Sequence, residues 1–202
     1  MAKIGLLGGS FNPIHNGHLA LAEAARQRLA LRRVLLVPNC LPPHKDSGNM
    51  ASASHRLRMV QLAIADDPAF EASDVELRRE GPSYTLHTIC ELLDKHPNWD
   101  IHFLIGADTL PELPTWYHIG ELASLCKFVV ANRPGEALDH FDALRPALTD
   151  AQIAGIRQRV IGMPPTDISS TAIRRRVAGG QPLDGLVPAA VADYISRNGL
   201  YR

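Results

Sequence analysis

The stretch Gly8-Gly9-Ser10-Phe11-Asn12-Pro13-Ile14-His15-Asn16-Gly17-His18 decides how this chain is read. It follows a short apolar run, Ile4-Gly5-Leu6-Leu7, and precedes an amphipathic one, Leu19 to Leu29. That context predicts strand, glycine-rich turn, helix. Gly8 and Gly9 permit a tight turn and a close approach of backbone to ligand. Asn16 or Gly17 falls near the helix start, where unpaired N–H groups and the positive end of the helix dipole favour an anion. If the first helical turn includes both His15 and His18, they share a face. Two imidazoles at a helix mouth suit a phosphate on which charge builds. Other uses fit less well. The dinucleotide fingerprint needs three spaced glycines, and the helical zinc spacing sets histidines four apart with a glutamate between them. No metal-ligand set is assigned.

With 202 residues, of which 46% are hydrophobic, the chain is long enough for one well-formed core, so residues 1–202 are expected to form a single domain. Lys+Arg and Asp+Glu both number 21, leaving no surplus charge to hold a polyanion, which argues against a nucleic-acid partner. Cys40, Cys90 and Cys126 are far apart and odd in number, a pattern that suits a reducing cytoplasm better than a disulfide framework. The N-terminal apolar run is too short for a secretory signal, and no run approaches a membrane span. A soluble cytoplasmic protein with no membrane partner is expected, and a homo-oligomer stays open.

Val34-Leu35-Leu36-Val37 reads as a buried strand stopped by Pro38, so the first forty residues make a right-handed parallel βαβ unit. Further strands are expected over 70–77, 101–105, 127–131 and 159–163. Helices are expected over 54–66, with Leu57, Val60 and Ile64 inward, and after Gly81-Pro82-Ser83-Tyr84-Thr85, with Leu86, Ile89, Leu92 and Leu93 as the apolar stripe and Ser83 or Thr85 as cap. The fold expected is α/β: a Rossmann-like, doubly wound parallel sheet with flanking helices. Ligands bind such sheets at the carboxyl ends of the strands. Gly106-Ala107-Asp108-Thr109 would lie on the same edge as Gly8-Gly9, with Asp108 either bonding a ribose or an amide, or capping the next turn. Trp116-Tyr117 are either core aromatics or a stacking surface for a flat ring. The 38–53 stretch reads as a loop. Within it Lys45 is by pattern alone a solvated cation, with a mobile phosphate-closing lysine as the alternative. Residues 111–116 read as loop. The 136–157 section is the least readable, helical from Thr149 onward.

A second anion site is suggested by Asp167-Ile168-Ser169-Ser170-Thr171-Ala172-Ile173-Arg174. Ser and Thr before an apolar–basic run are N-cap chemistry, and Ser170 and Arg174 fall on one helix face. Hydroxyls, free N–H groups and a guanidinium then meet at one helix mouth. Gly179-Gly180 should end that helix. A last one should run from Pro188 to Ile195, with Pro188 in its first turn, and stop at Asn198-Gly199.

The two stretches together resemble the paired signatures of the adenylyltransferases in the nucleotidyltransferase superfamily. Pro42-Pro43-His44-Lys45, Gly81 to Thr85, Ile105 to Asp108, Leu113 to Tyr117 and the closing Asn198-Gly199-Leu200-Tyr201 are similar to one branch, the bacterial nicotinate-nucleotide adenylyltransferases. Two departures are visible: Ser10 stands where threonine is common, and Asn12 where aspartate is common. The resemblance implies transfer of AMP from ATP to nicotinate mononucleotide, giving deamido-NAD and pyrophosphate by direct attack of the 5′-phosphate on the α-phosphorus. It implies His15, His18, Lys45 and Arg174 as catalytic residues, with His18 on the α-phosphate. Gly8, Gly9, Ser10, Phe11, Gly106, Asp108, Ile168, Ser169 and Ser170 would join His15, His18 and Arg174 in binding ATP. Ser83, Tyr84, Thr85, Trp116, Tyr117 and Arg133 would bind the mononucleotide, and Mg²⁺ would ride mainly on the phosphates. Rival readings are an adenylyltransferase for the amide mononucleotide or for phosphopantetheine, and a non-catalytic nucleotide-binding module.

Overall fold

Successive side chains of a strand face opposite ways, and in this chain both ways lead into apolar packing. The computed structural model describes residues 1–40, 50–133, 138 and 140–202. Strands β1 (Ala2–Gly9), β2 (Arg33–Pro38), β3 (Phe70–Ala72), β4 (Trp99–Gly106), β5 (Lys127–Asn132) and β6 (Val160–Gly162) form one parallel sheet in the order β3-β2-β1-β4-β5-β6. Leu6 sits opposite Leu35 on one side and Phe103 on the other. These three, with Ile4, Ile101 and Phe128, share a core with apolar residues of α3 (Thr85–Lys95), α4 (Ile119–Leu125) and α5 (Asp150–Arg157). Leu7, Val34, Leu36, Leu104 and Val129 share the other with α1 (Asn16–Leu29), α2 (Ala53–Ala63), α6 (Ser170–Ala178) and α7 (Ala189–Arg197). Leu36 is 0% exposed, so its truncation to alanine should cost about 2–5 kcal/mol. The doubly wound parallel sheet matches expectation, and the winding reverses between β1 and β4, which places a crevice at their carboxyl ends.

Several local expectations are corrected. Gly8 and Gly9 do not make the turn; they remain in β1, opposite Val37 and Pro38. The chain turns instead at Phe11, with φ 43°, and across a cis Asn12–Pro13 bond. The third strand stops at Ala72 rather than 77, because the Ser73 hydroxyl takes the Val75 N–H and the Asp74 carbonyl takes that of Leu77. Helix α2 ends at Ala63; Val60 and Ile64 are buried as expected, whereas Leu57 is only half-buried and Arg56 and Met59 join the buried face instead. Neither Ser83 nor Thr85 caps α3; Tyr84 holds that position without a side-chain bond, and the Ser83 hydroxyl accepts the Cys40 N–H at 3.0 Å. The 111–116 stretch lies largely within a 3₁₀ helix, Ala107–Thr115, that accommodates Pro111 and Pro114. Pro188 is the cap of α7 rather than part of its first turn. Helix α5 begins at Asp150, one residue after the expected start; Thr149 is its cap, with its hydroxyl accepting the Gln152 N–H at 3.3 Å.

Candidate active site

A cavity of about 800 Å³ opens at the crevice between β1 and β4. Gly8, Gly9 and Ser10 form its floor where β1 ends, and the N-terminal ends of α1, α3 and α6 all reach its wall. Each helix end brings unpaired N–H groups and a positive partial charge, so the cavity is suited to a ligand with several anionic groups.

At the mouth of α1, His15 is the cap residue and His18 lies within the first turn. Their rings stack with centroids 3.6 Å apart, and Phe11 meets the His18 ring edge-on at 5.1 Å. The His15 N–H donates to His18 Nδ1 at 3.2 Å. In that arrangement Nδ1 carries no proton and Nε2 does. A Cβ on Gly17 would stand 3.1 Å from the His15 ring, which would have to give by a few tenths of an ångström. Burial, and then the charge of Arg133, bring the His15 pKa down to about 4, so its ring is neutral near pH 7. Its Nδ1 is buried with no hydrogen-bond partner among the described residues.

The mouth of α6 is built as expected and used differently. Ser169 caps the helix, its hydroxyl accepting the Ala172 N–H at 3.1 Å. Ser170 donates to the Pro13 carbonyl at 2.9 Å, and Arg174 Nη1 to the Asn12 carbonyl at 2.8 Å. Both side chains therefore grip the β1–α1 loop. Ile168, Ser169 and Ser170 line the cavity, whereas Arg174 lies outside its lining.

On the far side, Ser83, Tyr84 and Thr85 line the cavity beside Trp116 and Tyr117. The two adjacent aromatics divide the alternatives between them. Trp116 packs edge-on against Phe103 at 5.7 Å, held by the core. Tyr117 is exposed and stacks on Tyr84 with centroids 4.4 Å apart. Asp108 is exposed over Gly106, where any Cβ would collide with its carboxylate. Arg133 lines the wall at the end of β5. Of the residues expected at the site, all the described ones reach the cavity except Arg174 and Phe11, whose ring is 1% exposed in the core behind His18. Lys45 lies outside the described residues.

Three contributors went unread in the sequence. Arg56 is 1% exposed and donates to the carbonyls of Ser10, Ala51 and Cys40. Glu76, on the cavity wall, accepts the Thr88 hydroxyl at 2.7 Å; burial raises its pKa, against the opposing pull of Thr88 and Arg79. Tyr201 bonds Asn12 at 2.8 Å. A charged residue within an apolar stripe, three positions before Met59, was the one available signal for Arg56.

Known proteins agree with this architecture. Residues 6–176 match the cytidylyltransferase-like family. The chain is 39% identical over 201 residues to the nicotinate-nucleotide adenylyltransferase of Bacillus subtilis (strain 168), covering 100% of this chain and 99% of that protein. It is 44% identical over 203 residues to a Roseiflexus sp. (strain RS-1) protein named "Probable nicotinate-nucleotide adenylyltransferase", covering 100% and 98%. Among solved structures, the Plasmodium falciparum nicotinic acid mononucleotide adenylyltransferase complexed with NaAD superposes with a TM-score of 0.77 at 19% identity, over 100% of this chain and 98% of that one.

Proposed function

The chain belongs to the nicotinate-nucleotide adenylyltransferase family of the cytidylyltransferase-like proteins, and from that premise we propose the part each cavity residue plays. It is an adenylyl-transferring enzyme of NAD biosynthesis: ATP and nicotinate mononucleotide give deamido-NAD and pyrophosphate. An oxygen of the mononucleotide 5′-phosphate forms a bond to the α-phosphorus of ATP as the bond from that phosphorus to the bridging oxygen of pyrophosphate breaks. No enzyme nucleophile is needed, so the protein positions two anions in line and stabilises the charge that develops.

The stacked pair at the mouth of α1 carries this reading. His18 presents its protonated Nε2 to the α-phosphate, held in that tautomer by the His15 N–H. His15 meets the neighbouring phosphates as a neutral ring and brings no competing charge. Ser10, Ser169 and Ser170, with the free N–H groups of α6, bind the rest of the triphosphate. Arg174 has five N–H donors, of which Nη1 and Nη2 already bond Asn12 and Thr171, so those remaining can face the leaving pyrophosphate while the loop stays held. Lys45 would supply a second cation there. Gly106 and Asp108 meet the nucleotide sugar. Thr85 at the start of α3 offers backbone N–H groups to the nicotinate carboxylate, Trp116 and Tyr117 enclose the ring, and Ser83, Tyr84 and Arg133 complete that end.

Mg²⁺ is the ion proposed to accompany ATP. Among the described residues no three His, Cys, Asp or Glu side chains converge as a cage, which fits an ion carried by phosphate oxygens and water. When bound it offsets charge on the leaving pyrophosphate. No described helix is long and apolar enough to cross a membrane.

The test is pyrophosphate release from ATP and Mg²⁺ with nicotinate mononucleotide and its amide measured side by side. Faster release with the acid is expected. Release with the amide alone, or with neither, overturns the assignment of the acceptor.

A further inference from the structure

The closing Asn198-Gly199-Leu200-Tyr201 has no part in the proposed reaction, yet it ends at the catalytic loop. Helix α7 stops at Arg197, and Gly199, with φ 60°, turns the chain back. The Leu200 N–H returns to the Ile195 carbonyl at 3.1 Å, which aims Tyr201 at Asn12. The Tyr201 hydroxyl donates to Asn12 Oδ1 at 2.8 Å, and the Ala51 N–H donates to the same oxygen at 3.0 Å. A backbone N–H fixes that atom as the carboxamide oxygen, so both bonds demand an acceptor there. Asn12 is 7% exposed and lies between the left-handed turn at Phe11 and the histidines. Burial lifts the Tyr201 phenol above its ordinary range, so it keeps the proton that it donates.

We propose that Tyr201 and Asn12 are a positioning pair: the hydroxyl near the end of the chain, through the Asn12 carboxamide, fixes the backbone three residues ahead of His15 and so sets where the His15–His18 stack stands. The carbonyl bonds from Arg56, Arg174 and Ser170 hold the loop's path. The Asn12 side chain adds what those lack, a tie to the segment that follows α7, and a second bond to Ala51, whose carbonyl Arg56 already holds. This inference rests on the reading of the two histidines as phosphate contacts.

Tyr201→Phe keeps the ring and removes the donor. Its kcat should fall about tenfold with KM for both substrates within about twofold, and the lost hydrogen bond should lower the thermal midpoint by about 2–4 °C. Asn12→Leu should lose at least as much, and adding Tyr201→Phe to it should cost nothing further. If Asn12→Leu does not fold, Asn12→Asp retains the acceptor, and Tyr201→Phe should still lose its factor in that background. Imidazole ¹⁵N signals of His15 and His18 should shift in Tyr201→Phe without any substrate present, a readout that stability alone would not move. Unchanged kcat and unchanged imidazole signals in Tyr201→Phe overturn the positioning role, as do fully multiplicative losses in the Asn12→Leu double variant. An inactive parent protein with shifted imidazole signals would instead count against the proposed reaction and leave the pair standing.

Discussion

Around His15 and His18 three loop carbonyls are each held by a side chain from another helix: Ser10 by Arg56, Asn12 by Arg174 and Pro13 by Ser170. At the opposite end of the cavity Tyr84 and Tyr117 rest on each other, with Tyr117 44% exposed and His87 against both. The difference follows from what each end must do. In-line displacement loses rate steeply when a contact moves by an ångström, so the phosphate end is fixed from several elements at once. A flat ring is recognised by area and by a few N–H groups; a surface stack can supply the area while it adjusts, and the start of α3 the N–H groups. On the proposed reading, rigidity would sit where the bond changes, and adaptability where the acceptor is chosen.

The comparison is tested most severely by His18→Ala, which should lower kcat by about 100- to 1000-fold, as for loss of one preorganised donor, while ATP binding measured by calorimetry stays within a few-fold. A parallel collapse of ATP binding would make His18 a ground-state contact. Next in size is a pH effect. The His15 pKa is lowered from the ordinary 6.5 to about 4, so between those values the unfolded chain takes up a proton that the folded one refuses. Stability is therefore full above pH 6.5 and falls as pH drops toward 4, by roughly 3 kcal/mol at most. Urea midpoints of His15→Gln should show a flatter descent over that window than the parent; buried His102, also lowered chiefly by burial, keeps its own share in both proteins. Identical slopes would mean that His15 protonates freely.

A smaller effect is expected from Gly17→Ala, whose methyl would press on the His15 ring at 3.1 Å. Its kcat should fall about tenfold with the acceptor KM unchanged, a loss confined to the rigid end. Tyr117→Ala should do the reverse, raising KM for the mononucleotide by about three- to fivefold, within the range of one aromatic contact, and leaving KM for ATP alone. If both constants rise together, the rim and the phosphate end are not separable.

All strands but β3 are legible because they are either continuous apolar runs, such as Val34 to Val37, or end in glycine or proline at a definite place. The stacked histidines were legible as a local pattern, as was the cap of α6 at Ser169. What escaped was everything defined by tertiary partners. No local rule says that Arg56 will find three carbonyls, and it takes a buried place that the spacing gives to Leu57. Ser83 was read as a cap because caps are local, but its hydroxyl is taken by Cys40, 43 residues away. The spacing of Arg174 to Ser170 brings a guanidinium to the mouth of α6, and only the fold shows that its Nη1 also holds the carbonyl of Asn12, 162 residues earlier. The two adjacent aromatics at 116 and 117 could not be told apart until β4 and β5 brought Phe103 and Phe128 beneath one of them.

Both outer strands of the sheet, β3 and β6, are three residues long. So short a ladder gives a second chain too few N–H and C=O groups to extend the sheet, which protects a stack of otherwise continuous apolar strands from growing edge to edge. Self-association of this protein is expected to proceed through helix faces and loops rather than by extension of the sheet.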